Sequence, residues 1–117
     1  MRDIVLALTT VSADFDPGPL ATDLVTRGLA ACVTILPAAR SIYKWDGAIC
    51  DSGEQQLVIK TTADRVGALW AALKAQHPYD TAEFLVLPIS QGNPDYLEWV
   101  RYCVPPEENE PSGEGVP

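Results

Sequence analysis

The chain holds a single histidine, His77, and three widely spaced cysteines, Cys32, Cys50 and Cys103. A closed zinc site needs about four Cys or His ligands, usually with two close together, so one copy of the chain carries no metal signature. An odd number of cysteines at such spacing is no disulfide framework, and a reducing cytoplasm is the expected compartment. Long apolar runs are missing too. The stretch Ile4 to Leu8 is too short for a signal-peptide core, and no small-residue cleavage site follows it. Nothing approaches the ~20 apolar residues that span a bilayer. Basic clusters are absent: 8 Lys and Arg stand against 16 Asp and Glu, a net charge of -8. Nucleic-acid binding depends on neutralising phosphates with Lys and Arg, so that class of partner is not expected, and neither is a membrane. There is no phosphate-cradling glycine loop, and no Ser, Cys or Thr has an identifiable base beside it in the sequence pattern. An enzyme is therefore not expected.

What remains is 117 residues, 47% of them hydrophobic and 21% charged, the composition and size of one globular domain. That domain is expected over residues 1–104. The segment 105–117 is rich in Pro and Glu, carries four of the acids and no base, and reads as a flexible, solvated tail. Without it the body is only mildly acidic, which leaves room for an anionic ligand in a local pocket.

Ile4 to Thr9 is a short block of strand formers. Asp16-Pro17 suits a helix start, with Leu20, Ala21, Leu24 and Val25 at helical spacing and Gly28 at the end, so a helix is expected over 17–27. Leu29 to Trp45 reads as a long strand with a bulge or interruption at Pro37. Asp46-Gly47 is a two-residue hairpin turn, and Ala48 to Thr61 returns, with a break expected near Ser52-Gly53. Thr62 is placed to cap a helix whose stripe is Val66, Leu69, Trp70 and Leu73 and which ends at His77-Pro78. Glu83 to Ile89 is the fourth strand. Asn93-Pro94 opens a last helix with apolar positions Tyr96, Leu97, Trp99, Val100 and Cys103.

The order β-α-β-β-α-β plus a helix is the split βαβ, or ferredoxin-like, α+β pattern. It implies a four-stranded antiparallel sheet, the first and third strands central, with both long helices on one face. A sheet open on its other face should alternate apolar and polar residues. Here, if Ile4, Leu6 and Leu8 face the helices, Val5 and Ala7 point away from them; Leu85 and Leu87 likewise oppose Phe84 and Val86. Strands apolar on both sides call for a cover on both, so self-association is expected, the alternative being that the last helix and the tail cover this face within one chain.

Five blocks resemble the CutA divalent-cation tolerance family. They are Gly28-Leu29-Ala30-Ala31-Cys32-Val33, Ser41-Ile42-Tyr43-Lys44-Trp45-Asp46-Gly47, Leu57-Val58-Ile59-Lys60-Thr61, His77-Pro78-Tyr79-Asp80, and Gly92-Asn93-Pro94-Asp95-Tyr96-Leu97-Glu98-Trp99. The resemblance implies a tight homotrimer related in architecture to the PII signalling proteins. It also implies a cytoplasmic role in tolerance of copper and other divalent metals, with no established catalysis and no required cofactor. Departures from the family pattern are Ala7-Leu8-Thr9-Thr10, where some members carry a Cys, Gln76-His77 in place of a His pair, and Asp80 where Glu is more usual.

Cys32 and His77 are the candidate copper ligands, since soft and borderline donors suit that metal; the alternative for Cys32 is a small buried strand residue beside Ala30 and Ala31. In a trimer each would appear three times or meet a neighbour's residues. His77 ends a helix directly before Pro78-Tyr79, so it either satisfies a local carbonyl or enters an intersubunit pocket. In such a pocket Lys60 and Glu83 are its candidate polar partners for a small ligand, with Tyr79 beside it. Tyr43 and Trp45 share a strand face; they either pack against a neighbouring subunit or form the aromatic walls of such a pocket. Tyr96 and Trp99 are expected to dock the last helix onto the sheet or onto a partner.

Overall fold

The computed structural model describes residues 2–107. The elements, in chain order, are β1 (Ile4–Ser12), α1 (Gly18–Thr26), β2 (Cys32–Trp45), β3 (Ala48–Thr62), α2 (Val66–Gln76), β4 (Leu85–Pro88) and α3 (Pro94–Cys103). A single 3-10 turn, Ala63–Arg65, leads into α2. The sheet order is β2-β3-β1-β4, with every neighbouring pair antiparallel. This is the ferredoxin-like α+β arrangement, with β1 and β3 central.

Leu20 and Leu24 of α1 and Leu69, Ala72 and Leu73 of α2 bury themselves against Ala7, Val11, Leu57 and Ile59. Each fully buried Leu or Ile contributes roughly 1.5–3 kcal/mol. The helix-facing residues of β1 are therefore Val5, Ala7, Thr9 and Val11, all buried. This reverses the expected parity: Leu6 and Leu8 face the open side. Ala7 packs in one cluster with Leu20, Leu24, Leu69 and Leu73 from two helices, and Thr9 is buried with its hydroxyl 3.0 Å from the His77 ring; small side chains take the helix side where hydrophobicity does not alternate.

Three boundaries differ from expectation for identifiable reasons. β1 runs three residues past Thr9, because its register with β3 holds as far as Ser12 against Glu54. β3 is unbroken at Ser52-Gly53; Gly53 stays in the ladder opposite Arg40, and its carbonyl accepts from the Ala13 N–H at 3.2 Å. β4 is shorter, four residues on an edge, and only the Ile89 N–H to Ile4 carbonyl bond (3.1 Å) extends its pairing. Thr62 does not cap by its side chain; its hydroxyl accepts from the Arg2 guanidinium at 3.0 Å instead.

The bulge expected at Pro37 is present. The register jumps from Leu36 opposite Gln56 to Ala39 opposite Glu54, and Ala38 takes φ 62°. One extra residue in β2 flips its side-chain parity. Before the bulge Cys32, Thr34 and Leu36 look out from the open face; beyond it Ala39, Ser41, Tyr43 and Trp45 do. The bulge thus puts both aromatics on that face. The distal hairpin runs clear of the helices, and the molecule measures 55 × 30 × 25 Å. Asp46 (φ 51°) and Gly47 (φ 77°) close its tip in the left-handed pair that a two-residue turn requires.

α3 crosses to the open face. Val100 and Val104 pack on Ile4 and Ala31, with Leu97, Ile89 and Cys103 around them. They cover one corner only. Leu85 (55%), Leu87 (42%) and Trp45 (57%) keep large exposed fractions on the open face, as Ile49 (72%) does on the other face of the hairpin. Tyr96 and Trp99 meet in a tilted pair, ring centroids 5.5 Å apart, and are partly exposed, while Leu97, Val100 and Val104 dock the helix within the chain. Of the expected tail, Pro105 lies against Gly28 and its carbonyl accepts from Arg65 at 2.7 Å; residues 108–117 lie outside the described residues.

Candidate functional site

The open face carries two groups of polar side chains at opposite ends of β3. At the proximal end, Lys60 sits between Cys32 on β2 and Leu6 on β1. Its ammonium donates to the Thr34 hydroxyl at 2.7 Å and lies 3.7 Å from the Cys32 thiol. At the distal end, a cleft of about 590 Å³ opens between the hairpin and the segment that follows α2. Tyr43, Trp45, Cys50 and Glu54 form one wall, and Tyr79, Asp80 and Glu83 the other. Six residues of β3 separate Lys60 from Glu54, about 20 Å at the usual rise, so within one chain Lys60 is no part of the cleft.

Glu54 is the buried charge of this region, 6% exposed. The Tyr79 hydroxyl donates to its Oε2 at 2.8 Å. Burial, reinforced by the Glu54 carboxylate, pushes the Tyr79 phenol up to about 12, so at neutral pH Tyr79 is a fixed neutral donor. Across the hairpin the Tyr43 hydroxyl lies 3.1 Å from the Ser52 hydroxyl, which orients that ring. Gln56 donates to the Thr9 carbonyl at 2.8 Å and reaches Glu83 at 3.5 Å, linking the second wall to the sheet.

His77 stands behind the cleft rather than in it. Its Nδ1 accepts from the Tyr79 backbone N–H at 3.0 Å. The ring proton is therefore on Nε2, which donates to the Thr10 carbonyl at 3.0 Å, with the Thr9 hydroxyl also at 3.0 Å. Burial holds the imidazole below its ordinary range, against the Thr10 carbonyl and the Glu54 charge, which favour the proton. Both nitrogens are spent on orienting the turn that delivers Tyr79.

The structure thus gathers Tyr43, Trp45, Tyr79 and Glu83, seats His77 behind them, and leaves Lys60 and Cys32 in a separate group. Along β1 the rows of Cys32 and His77 are three to four residues apart, about 10–13 Å. Among the described residues no three His, Cys, Asp or Glu side chains converge as a metal would require. The donors of one chain do not fit a metal centre. Glu54 was not among the candidates from sequence. Its signal is faint: Glu54, Gln56 and Lys60 recur at even positions of a strand whose odd positions Leu57 and Ile59 are apolar, marking a polar stripe on one face of a central strand.

The fold and this cleft can be set beside known proteins. The family model of the CutA1 divalent ion tolerance protein matches residues 5–103. The chain belongs to the CutA1 family. The divalent-cation tolerance protein CutA of Pectobacterium atrosepticum is 48% identical over 99 residues, spanning 85% of this chain and 90% of that protein. Its counterpart in Citrobacter koseri is 41% identical, spanning 85% and 86%. The crystal structure of CutA1 from Oryza sativa superposes with a TM-score of 0.86 at 35% identity, covering 91% of this chain and 97% of that one. The PII-like protein CutA from Nostoc sp. PCC 7120, in apo form, superposes at 0.80 with 27% identity, covering 88% and 99%. The CutA1 match ends at Cys103, so the acidic segment lies beyond the family's shared domain. No helix among the described residues is long and apolar enough to cross a membrane.

Proposed function

We propose that this chain works as a cytoplasmic homotrimer in tolerance of divalent metals, copper among them, and that it does so by binding rather than by catalysis. The observation that carries the reading is the uncovered face. Leu85 and Leu87 are exposed on a chain whose α3 shields only one corner, and Ile42 and Ile49 are exposed on the opposite face of the hairpin. Exposed apolar surface of this kind marks an association site, and membership of the CutA1 family gives the association its context. The hairpin face that carries Ile42 and Ile49 suits contact with another copy.

The chemistry on the page favours binding. The Thr9 hydroxyl beside His77 is fully buried, and the Nε2 it faces carries the ring proton, so the pair is not a nucleophile and base. Copper binding through Cys32 or His77 takes donors from more than one copy in this reading. The test is a thermal melt with and without copper. Stabilisation by copper that weakens in Cys32→Ser or His77→Ala supports it; unchanged melts throughout would reject metal binding.

A second reading is a PII-like sensor or scaffold that takes a small ligand in the cleft. The cleft itself favours it, as does the description of the Nostoc relative as PII-like. Stabilisation by a small molecule but not by metals would select it.

A further inference from the structure

The side chains lining the distal cleft include three carboxylates, from Glu54, Asp80 and Glu83, and no Lys, Arg or His. Glu54 is more than nine-tenths buried and directed into the cleft. A neutral phenol is its sole hydrogen-bond donor among the described residues. A buried carboxylate without a cationic partner is costly, and a bound cation is what would offset it. The walls add a separate fact. Tyr43 and Trp45 are large aromatic faces, 43% and 57% exposed, held on the cleft side by the Pro37 bulge. An aromatic face attracts an ammonium group desolvated against it. A bare metal ion is poorly served by the same cleft, since its acids do not converge into a ligand group. The space, about 590 Å³, is of small-molecule size.

We infer that the distal cleft is a site for an organic cation, an alkyl ammonium or diamine whose charge meets Glu54 and Glu83 while its carbon chain lies on Tyr43 and Trp45. Anionic metabolites are disfavoured by the same carboxylates. The inference rests on the cleft's being a ligand site, as in the second reading above, and supplies the class of ligand. The aromatics and Glu54 belong to one continuous pair of strands, so a single copy supplies this wall.

Titration calorimetry on the full-length protein tests it, with 1,4-diaminobutane as the cationic probe and inorganic phosphate and Mg²⁺ as comparisons. Saturable diamine binding is expected, reduced at least tenfold in Glu54→Gln and in Trp45→Ala, with neither comparison ion competing. Trp45 is exposed at the hairpin tip, and the solution mass and melting temperature of Trp45→Ala, matched to the wild type, separate lost ligand contact from lost assembly even if Glu54→Gln loosens the Tyr79 contact. No diamine binding, equal binding in Trp45→Ala, or displacement by phosphate would each overturn the inference. A trimer stabilised by copper that ignores diamines would end this inference and leave the metal-tolerance reading intact; diamine binding without copper stabilisation would do the reverse.

Discussion

The two faces of the sheet are built from the same four strands, yet they are finished differently. On one, α1 and α2 bury Val5, Ala7, Val11, Leu57 and Ile59 almost completely. On the other, Leu85 and Leu87 stand exposed, and α3 covers only the end near Ile4. The chemistry follows the same division. Lys60 with Cys32, and Glu54 with Tyr79, all lie on the uncovered side. The covered face holds the fold, and the uncovered one is left for association and for ligands. This is how a small sheet can be stable and still present polar groups in a sheltered place.

That contrast can be broken at its strongest point first. Leu24→Ala opens a cavity in the covered core and should cost about 2–5 kcal/mol, read from denaturant unfolding, with no dependence on protein concentration. Leu85→Ala with Leu87→Ala should cost roughly 1.5–3 kcal/mol per side chain, and the loss should deepen as the protein is diluted, because stability borrowed from other copies follows mass action. A concentration-independent loss in the double variant would show the open face to be covered by its own chain.

The same division explains what the sequence disclosed and what it hid. Element order, the Asp46-Gly47 turn and the Pro37 bulge were legible because each is written in local residues with fixed backbone demands. The parity of β1 was not, since Ile4 to Leu8 is apolar at every position and only the sizes of Ala7 and Thr9 against the helices decide it. Gly53 suggested a break by local propensity, but its pairing with Arg40 of β2 and the bond from the Ala13 N–H just past β1 hold it in the ladder. The cleft was half legible: Tyr43, Trp45 and Tyr79 lie in the motif blocks, and Glu83 is a candidate polar partner near the start of the expected fourth strand. Glu54 was missed because its partner Tyr79 is 25 residues away, and the bonds from His77 to Thr9 and Thr10 span a still longer separation that no local pattern encodes.

Smaller effects sharpen the account at the hairpin and at His77. Gly47→Ala forces a side chain into φ 77° and should cost about 1–2 kcal/mol, seen as a lowered melting temperature with the assembly intact. His77 has its pKa lowered by burial. Its neutral form is the folded one, so the unfolded chain binds more protons as the pH falls. Its contribution to stability is complete above the ordinary value of 6.5 and is lost as the pH drops from there through the folded value. A melting temperature followed from pH 7.5 to 5 should fall more steeply for the wild type than for His77→Gln; parallel curves would remove His77 as the acid-sensitive group.

The mass of the full-length protein in solution, by analytical ultracentrifugation at micromolar concentration, tests the central claim most directly. Three times the 12.6 kDa of one chain is the result expected if the exposed leucines and the hairpin arm are met by other copies. A stable, fully folded particle of 12.6 kDa would contradict it.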